Sequence, residues 1–118
     1  MKGTVCVVDH DLSNRGFLRE CLEREGLKVT TLSNGFEVRD HLSEAPFNIF
    51  ILNIDTPGVR DKDLILGIKK AGRSRILLIV SERGDCFLKD AIDLGVYGFI
   101  YRPFNLHEVC TMVNHLVR

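Results

Sequence analysis

Five short apolar runs alternating with five longer amphipathic segments predict an α/β domain: a (βα)5 doubly wound sandwich around a parallel five-stranded sheet in the order 2-1-3-4-5. Two further observations point the same way. Ile76 to Val80 is aliphatic without a break, as expected of a central parallel strand covered on both faces. Asp9, Asn53, Ser81 and Arg102 each close or follow an apolar run, so they collect at the carboxyl ends of strands, where open α/β sheets form their ligand crevice. The chain of 118 residues suffices for one domain with a proper core, spanning 1–118, and is too short for two.

Val5-Cys6-Val7-Val8 is the first strand, ended by Asp9-His10-Asp11. Ser13 is placed to cap the next helix, whose apolar side at helical spacing is Phe17, Leu18, Cys21 and Leu22, and Gly26 is placed to end it. Leu27 to Leu32 alternates only partially and reads as an edge strand. Asn34-Gly35 turns into a second helix carrying Val38 and Leu42, which must stop before Pro46, because the residue before a proline is pushed out of the helical region. The third strand is Phe47 to Asn53, and a helix from about Asp61 turns Leu64, Ile65 and Ile68 inward, with Gly72 beyond its end.

Ser81 closes the fourth strand, and Asp85 can cap a helix that packs Leu88, Ala91 and Ile92 and stops at Gly95. Phe99-Ile100-Tyr101 makes a short fifth strand. Asn105, with Glu108 three residues on, resembles a capping box and opens a last helix burying Leu106, Val109, Cys110, Val113 and Leu116. No internal repeat, low-complexity segment or linker interrupts the pattern.

Sixteen basic residues offset sixteen acidic ones, which gives no electrostatic case for nucleic acid or an anionic membrane as main partner. Cys6, Cys21, Cys86 and Cys110 are widely spaced and read as reduced packing residues of a cytosolic protein. No secretory region precedes the first strand, and no apolar run approaches the roughly 18 residues of a membrane helix, so a soluble cytoplasmic protein is expected.

Asn53 is the most informative residue. At the end of a buried strand a carboxylate could attack a phosphoryl donor and help hold a divalent metal; an amide is neutral and its nitrogen lone pair is delocalised. Four segments around it match one family in order: Val7-Val8-Asp9-His10-Asp11, Ile51-Leu52-Asn53-Ile54-Asp55-Thr56-Pro57-Gly58, Ile79-Val80-Ser81, and Gly98-Phe99-Ile100-Tyr101-Arg102-Pro103-Phe104. Over essentially its whole length the chain resembles the receiver domain of bacterial two-component response regulators, which implies the flavodoxin-like receiver fold.

The resemblance implies an acidic turn and an acceptor aspartate that together bind Mg²⁺, a hydroxyl switch, and a lysine that contacts the phosphoryl group. Asp9 matches the first acid and Ser81 the hydroxyl, but His10 stands at the second acid, Asn53 at the acceptor and Arg102 at the lysine. Asp11 lies one position further and should point elsewhere. The departures agree electrostatically. The usual pocket carries about two units of excess negative charge, which welcomes a hard divalent cation, whereas here Asp9 faces Arg102 and the inner pocket sums to about zero. Mg²⁺ binding is therefore expected to be weak or absent, with Asp9 the one weak metal candidate and no other cofactor. Arg102 is expected to bridge Asp9 and the Asn53 side-chain oxygen, filling the space of metal and phosphoryl group.

These residues point to a pseudo-receiver, a binding module without catalytic residues. The resemblance implies that it binds a protein partner or a second copy through the fourth helix, fifth strand and fifth helix. That face draws on Phe87, Lys89, Asp90, Asp93, Tyr97, Phe99, Tyr101, Glu108 and Met112, with Phe99 at the aromatic switch position. His10 is either a solvated turn residue or a pH-sensitive pocket group. Adjacent residues converge poorly on one ion, which disfavours Asp9-His10-Asp11 as a transition-metal site. Two alternatives stay open: a phosphorylation-competent receiver using Asp55 or Asp11, and a flavodoxin-like small-molecule binder. The second lacks a Gly-rich phosphate cradle after the first strand. The sequence ends at His115-Leu116-Val117-Arg118, soon after the last helix, so a stand-alone protein and a piece of a longer one are both open.

Overall fold

The computed structural model describes residues 3–42 and 47–117. The five strands are β1 (Thr4–Val8), β2 (Lys28–Leu32), β3 (Ile49–Asn53), β4 (Arg75–Val80) and β5 (Gly98–Tyr101). Between and after them run α1 (Leu12–Arg24), a 3-10 turn at Gly35–Glu37 leading into the short α2 (Val38–His41), α3 (Lys62–Ala71), α4 (Phe87–Asp93) and α5 (Leu106–Leu116). All strand pairs are parallel, in the order β2-β1-β3-β4-β5, as the alternation predicts.

The period of two along each strand splits the core into two layers. Cys6, Val8, Phe50, Leu52, Ile76, Leu78 and Val80 point to one side, against Val38, Leu64, Ile65, Ile68, Leu88 and Ala91 of α2, α3 and α4. Val5, Val7, Ile49, Ile51, Leu77 and Ile79 point to the other, against Leu18, Leu22, Val109 and Val113 of α1 and α5. Because both faces are covered, β3 and β4 carry polar residues only at their ends, Asn53 and Arg75, which explains the unbroken run from Ile76 to Val80. Burial pushes the Cys6 thiol up to about 12, so it behaves as a packing residue.

Several local expectations change. Helix α1 is capped by Asp11, whose carboxylate accepts from the Asn14 amide at 3.0 Å, because the helix already starts at Leu12 and leaves Ser13 inside its first turn. Phe17 lies outside the buried stripe of Leu18 and Leu22 and is 57% exposed. Asn34 caps the 3-10 turn by accepting from the Glu37 amide. The expected stop before Pro46 lies outside the described residues. Asp85 accepts from the Phe87 amide as a cap would, but α4 begins one residue later than that cap implies, at Phe87 after Cys86. As a result Phe87 is buried in the core and Ile92 is 60% exposed, which reverses the expected roles of the two. The Arg102–Pro103 peptide bond is cis.

Cys21 and Cys110 form a disulfide, which overturns the reading of all four cysteines as reduced. Helices α1 and α5 pack side by side on one face, and that adjacency brings the two Cα atoms to 6.6 Å, within the range a disulfide spans. Cys86 is free and exposed rather than packed. Among the described residues no helix is long and apolar enough to cross a membrane.

Candidate functional site

Three strands deliver their ends to one crevice. β1 ends at Asp9, whose amide still donates to Leu32 O of β2 at 3.0 Å, so the side chain is fixed by the sheet and is fully buried. β3 ends at Asn53, buried to 2% exposure, and β5 hands over to Arg102, whose amide donates to Val80 O at 2.9 Å. A lone buried carboxylate is unfavourable unless hydrogen-bonded or paired, so the partners of Asp9 decide the character of the site.

Asp9 Oδ1 accepts two N–H groups: the Asp11 amide at 2.9 Å and Asn53 Nδ2 at 3.1 Å. Asp9 Oδ2 has no hydrogen-bond partner and faces Arg102 Nη2 at 3.8 Å, an ion-pair distance rather than a hydrogen bond. Asn53 Oδ1 accepts from the Asp55 amide at 3.0 Å, closing a local Asx turn. The amide oxygen is thus engaged by the backbone, and the expected Arg102 bridge to it is replaced by a direct Asn53-to-Asp9 bond. Arg102 keeps 31% of its side chain exposed and lies over the Phe104 ring, with 5.6 Å from Cζ to the ring centroid. Beside it a cleft of about 240 Å³ runs between α1 and the start of α5.

His10 is half exposed and lies beside the carboxylate, with its hydrogen-bonding contact made to Thr56. Its Nδ1 lies 3.1 Å from Thr56 Oγ1 and 3.8 Å from Asp9 Oδ1, and its amide donates to the same threonine hydroxyl. Asp11 spends its carboxylate on the α1 cap and lies outside the pocket. Ser81 donates its hydroxyl to Asp55 Oδ2 at 2.8 Å, and Asp55 Oδ1 accepts from Arg60 Nη2 at 3.2 Å. The residues at the crevice therefore form two groups: Asp9 with Asn53, Arg102 and His10, and Asp55 with Ser81.

Sequence reasoning missed several participants. Arg15 donates to the Asp9 carbonyl oxygen at 2.8 Å, Thr56 is buried against His10, and Arg60 joins Asp55 to Asp85. An arginine in α1 and a threonine and an arginine on the β3–α3 loop carry no spacing signal. The close approach of Gly35 to the Gly58 backbone brings the two upper loops together, and Gly58 itself takes φ +85°, which favours glycine. Among the described residues no group of three or more His, Cys, Asp and Glu side chains converges to hold a metal.

On the expected interaction face Tyr97 is 56% exposed and Met112 37% exposed, while Phe99 and Tyr101 are half-buried with ring centroids 6.2 Å apart. A groove of about 570 Å³ runs between Tyr97 and the α5 residues His107, Thr111 and Met112. Phe87 does not contribute to this face, because its ring faces the core.

A family model of the response regulator receiver domain matches residues 5–114. The DNA-binding transcriptional regulator NtrC of Escherichia coli K12 is 28% identical over 117 residues, which is 98% of this chain and 25% of that protein. The chain thus spans about a quarter of that curated relative, and about half of others such as the ycf29 regulator of Pyropia yezoensis. Among solved structures, the chemotaxis response regulator CheY4 of Vibrio cholerae superposes with a TM-score of 0.84 at 20% identity, covering 97% of this chain and 98% of that one. A CheY-like receiver domain protein from Methanospirillum hungatei gives 0.88 at 16% identity, covering 98% and 93%.

Proposed function

Since the chain belongs to the response regulator receiver domain family of two-component signalling, we propose that it is a pseudo-receiver: a receiver fold that takes up no phosphoryl group at residue 53 and acts as a protein-interaction module. One observation carries this reading. Asn53 points its amide nitrogen, a donor, at Asp9, and its oxygen is held by the Asp55 backbone. The position where the resemblance expects a nucleophilic carboxylate offers a neutral amide, with no anionic oxygen to attack a phosphorus centre.

The donor set also suits Mg²⁺ poorly. That ion wants near-octahedral oxygen ligands, usually from one or two carboxylates with water and phosphate. Among the described residues Asp9 is the one carboxylate inside this pocket; one of its oxygens already accepts two N–H groups, and the other faces a guanidinium cation. His10 is directed at Thr56. Arg102 supplies the positive charge that a metal would otherwise bring, and no step is assigned to a metal here.

With the pocket fixed, the working surface is the one formed by α4, β5 and α5. The exposed Tyr97 and Met112 beside a broad groove suit a protein partner or a second copy, since amphipathic aromatic residues and methionine are enriched at such interfaces. The competing reading uses Asp55 as acceptor. Both Asp55 oxygens are already bonded, to Ser81 and Arg60, which disfavours in-line attack.

Incubation with acetyl phosphate and Mg²⁺, followed by intact-mass measurement, tests both readings. The expected result is an unmodified protein. A phosphorylated species mapped to residue 53 overturns the proposal, and one mapped to Asp55 establishes the competitor.

A further inference from the structure

A second polar cluster lies beside the Asp9 pocket, on the loops that follow β3 and β4. Arg60 grips Asp85 with both arms of its guanidinium, Nη1 to Oδ1 at 2.7 Å and Nη2 to Oδ2 at 2.5 Å, and Nη2 also reaches Asp55 Oδ1 at 3.2 Å. Asp55 in turn holds the Ser81 hydroxyl at 2.8 Å. One guanidinium thus joins the β3–α3 loop to both ends of the β4–α4 loop.

The position of that loop matters because α4 is weakly specified by its own sequence. It has seven residues, fewer than an isolated helix needs, and Cys86 at its N-cap gives no side-chain hydrogen bond. The first turn is held instead by Asp85, whose Oδ1 accepts from the Phe87 amide at 2.9 Å while Arg60 holds the same carboxylate. Arg60 keeps the Asp85 carboxyl below the usual carboxylate range by hydrogen bonding to it. At the outer edge of the same loop, Arg83 Cζ sits 4.2 Å from the Tyr101 ring centroid, on the face assigned to partners. The loop is therefore gripped on its inner side by Arg60 and rests outside on Tyr101.

We propose that Arg60 is a positioning residue for the interaction surface: it holds the β4–α4 loop, the first turn of α4 and the Tyr101 edge in one arrangement, independently of anything bound near residue 53. The functional meaning of that surface rests on the pseudo-receiver reading; the mechanical claim does not. An isolated exposed ion pair is worth little, but a bidentate guanidinium on a carboxylate that is only 11% exposed is of the stronger kind. Lysine cannot reproduce the two-armed grip.

The test is amide hydrogen exchange on the full chain, wild type against Arg60→Gln and Arg60→Lys. Both variants are expected to exchange about tenfold faster at the amides of residues 85–91, with core amides of β1 and β3 unchanged and the Tyr101 ring resonances shifted. Exchange that is unchanged at 85–91, or accelerated uniformly across the domain, overturns the proposal. Should Arg60→Gln fail to fold, Asp55→Ala removes one of the three Arg60 contacts, and a smaller acceleration in the same window is expected; none overturns the proposal. Failure here leaves the acetyl phosphate result untouched, and phosphorylation at residue 53 leaves the exchange pattern untouched, so the two readings fail separately.

Discussion

Replacing Asn53 by aspartate removes a donor and sets two buried carboxylates face to face. In the wild type Asn53 Nδ2 lies 3.1 Å from Asp9 Oδ1, and both side chains are almost fully shielded from water. At 3.1 Å two unit negative charges repel by about 5 kcal/mol at an effective dielectric of about 20. Proton uptake caps that figure, because protonating a carboxyl of ordinary pKa, about 3.9, at pH 7 costs about 4 kcal/mol. The pair will therefore share a proton, and N53D should be less stable than wild type by about 4 kcal/mol at pH 7. With about 0.25 kcal/mol/K of unfolding entropy for a chain of 118 residues, the midpoint falls by about 15 K.

The sign of the pH dependence follows. In the variant the folded-state pKa of the pair is raised above its unfolded value, so the folded state binds more protons and the deficit shrinks as pH falls toward 4. Millimolar Mg²⁺ should raise the midpoint of N53D and leave wild type nearly unchanged, since only the variant presents two adjacent carboxylates. Thermal melts of both proteins across pH, with chelator and with Mg²⁺, read all three effects. Equal midpoints at neutral pH in chelator, or a deficit independent of pH, would refute the Asn53-to-Asp9 contact as the organising bond of the pocket.

Three further expectations concern stability. In Gly35→Ala the new Cβ would lie 2.5 Å from the Gly58 carbonyl oxygen and 2.9 Å from the Val59 amide nitrogen, backbone atoms that cannot swing aside; denaturant melts should show a loss of about 3 kcal/mol, and a neutral outcome would mean that the two loops are not in contact. Reduction of Cys21–Cys110 releases a cross-link across 89 positions and should lower stability by at most about 4–5 kcal/mol; equal melts with and without reductant would show that the thiols are not bonded. The Asp85 carboxyl is depressed by its hydrogen bonds from Arg60, so its contribution is full at neutral pH and is lost progressively as pH falls from the ordinary aspartate range to the lower folded-state value. The wild-type minus Arg60→Gln difference in stability should shrink correspondingly in acid, and a difference that grew there would contradict the pairing.

The sheet was legible because periodicity is local: each strand announces itself within four to six residues, and the parallel order follows from the crossovers. Asp9, Asn53, Ser81 and Arg102 were legible for the same reason, since strand ends locate them whatever the loops do. Helix α4 was not. Leu88 and Ala91 mark its inner stripe, but in two turns the stripe can extend to Phe87 on one side or Ile92 on the other, and tertiary packing chose Phe87. Cys21 and Cys110 gave no local sign of pairing, because their contact exists only once α1 and α5 lie side by side. Arg60 was invisible for a similar reason: its partners Asp55 and Asp85 sit on different loops, 5 and 25 positions away.

The substitutions at residues 10, 53 and 102 are physically coupled through Asp9. A buried carboxylate that keeps its charge needs donors and a nearby cation. Asp9 has the Asp11 amide and Asn53 Nδ2 as donors, Arg102 as the cation, and Arg15 on its backbone carbonyl. An aspartate at 53 would turn one of those donors into a second acceptor, and without another acid at residue 10 the resulting pair would still hold a divalent ion weakly. Conversely, an acid at residue 10 beside an amide at 53 would add negative charge with no acceptor for phosphoryl transfer. Each replacement therefore makes the others easier to keep, and on the proposed reading phosphoryl transfer to residue 53 would require at least residues 10 and 53 to change together. Under the proposed pseudo-receiver reading, that coupling keeps the pocket fixed without a metal and leaves signalling to the surface that Arg60 is proposed to position.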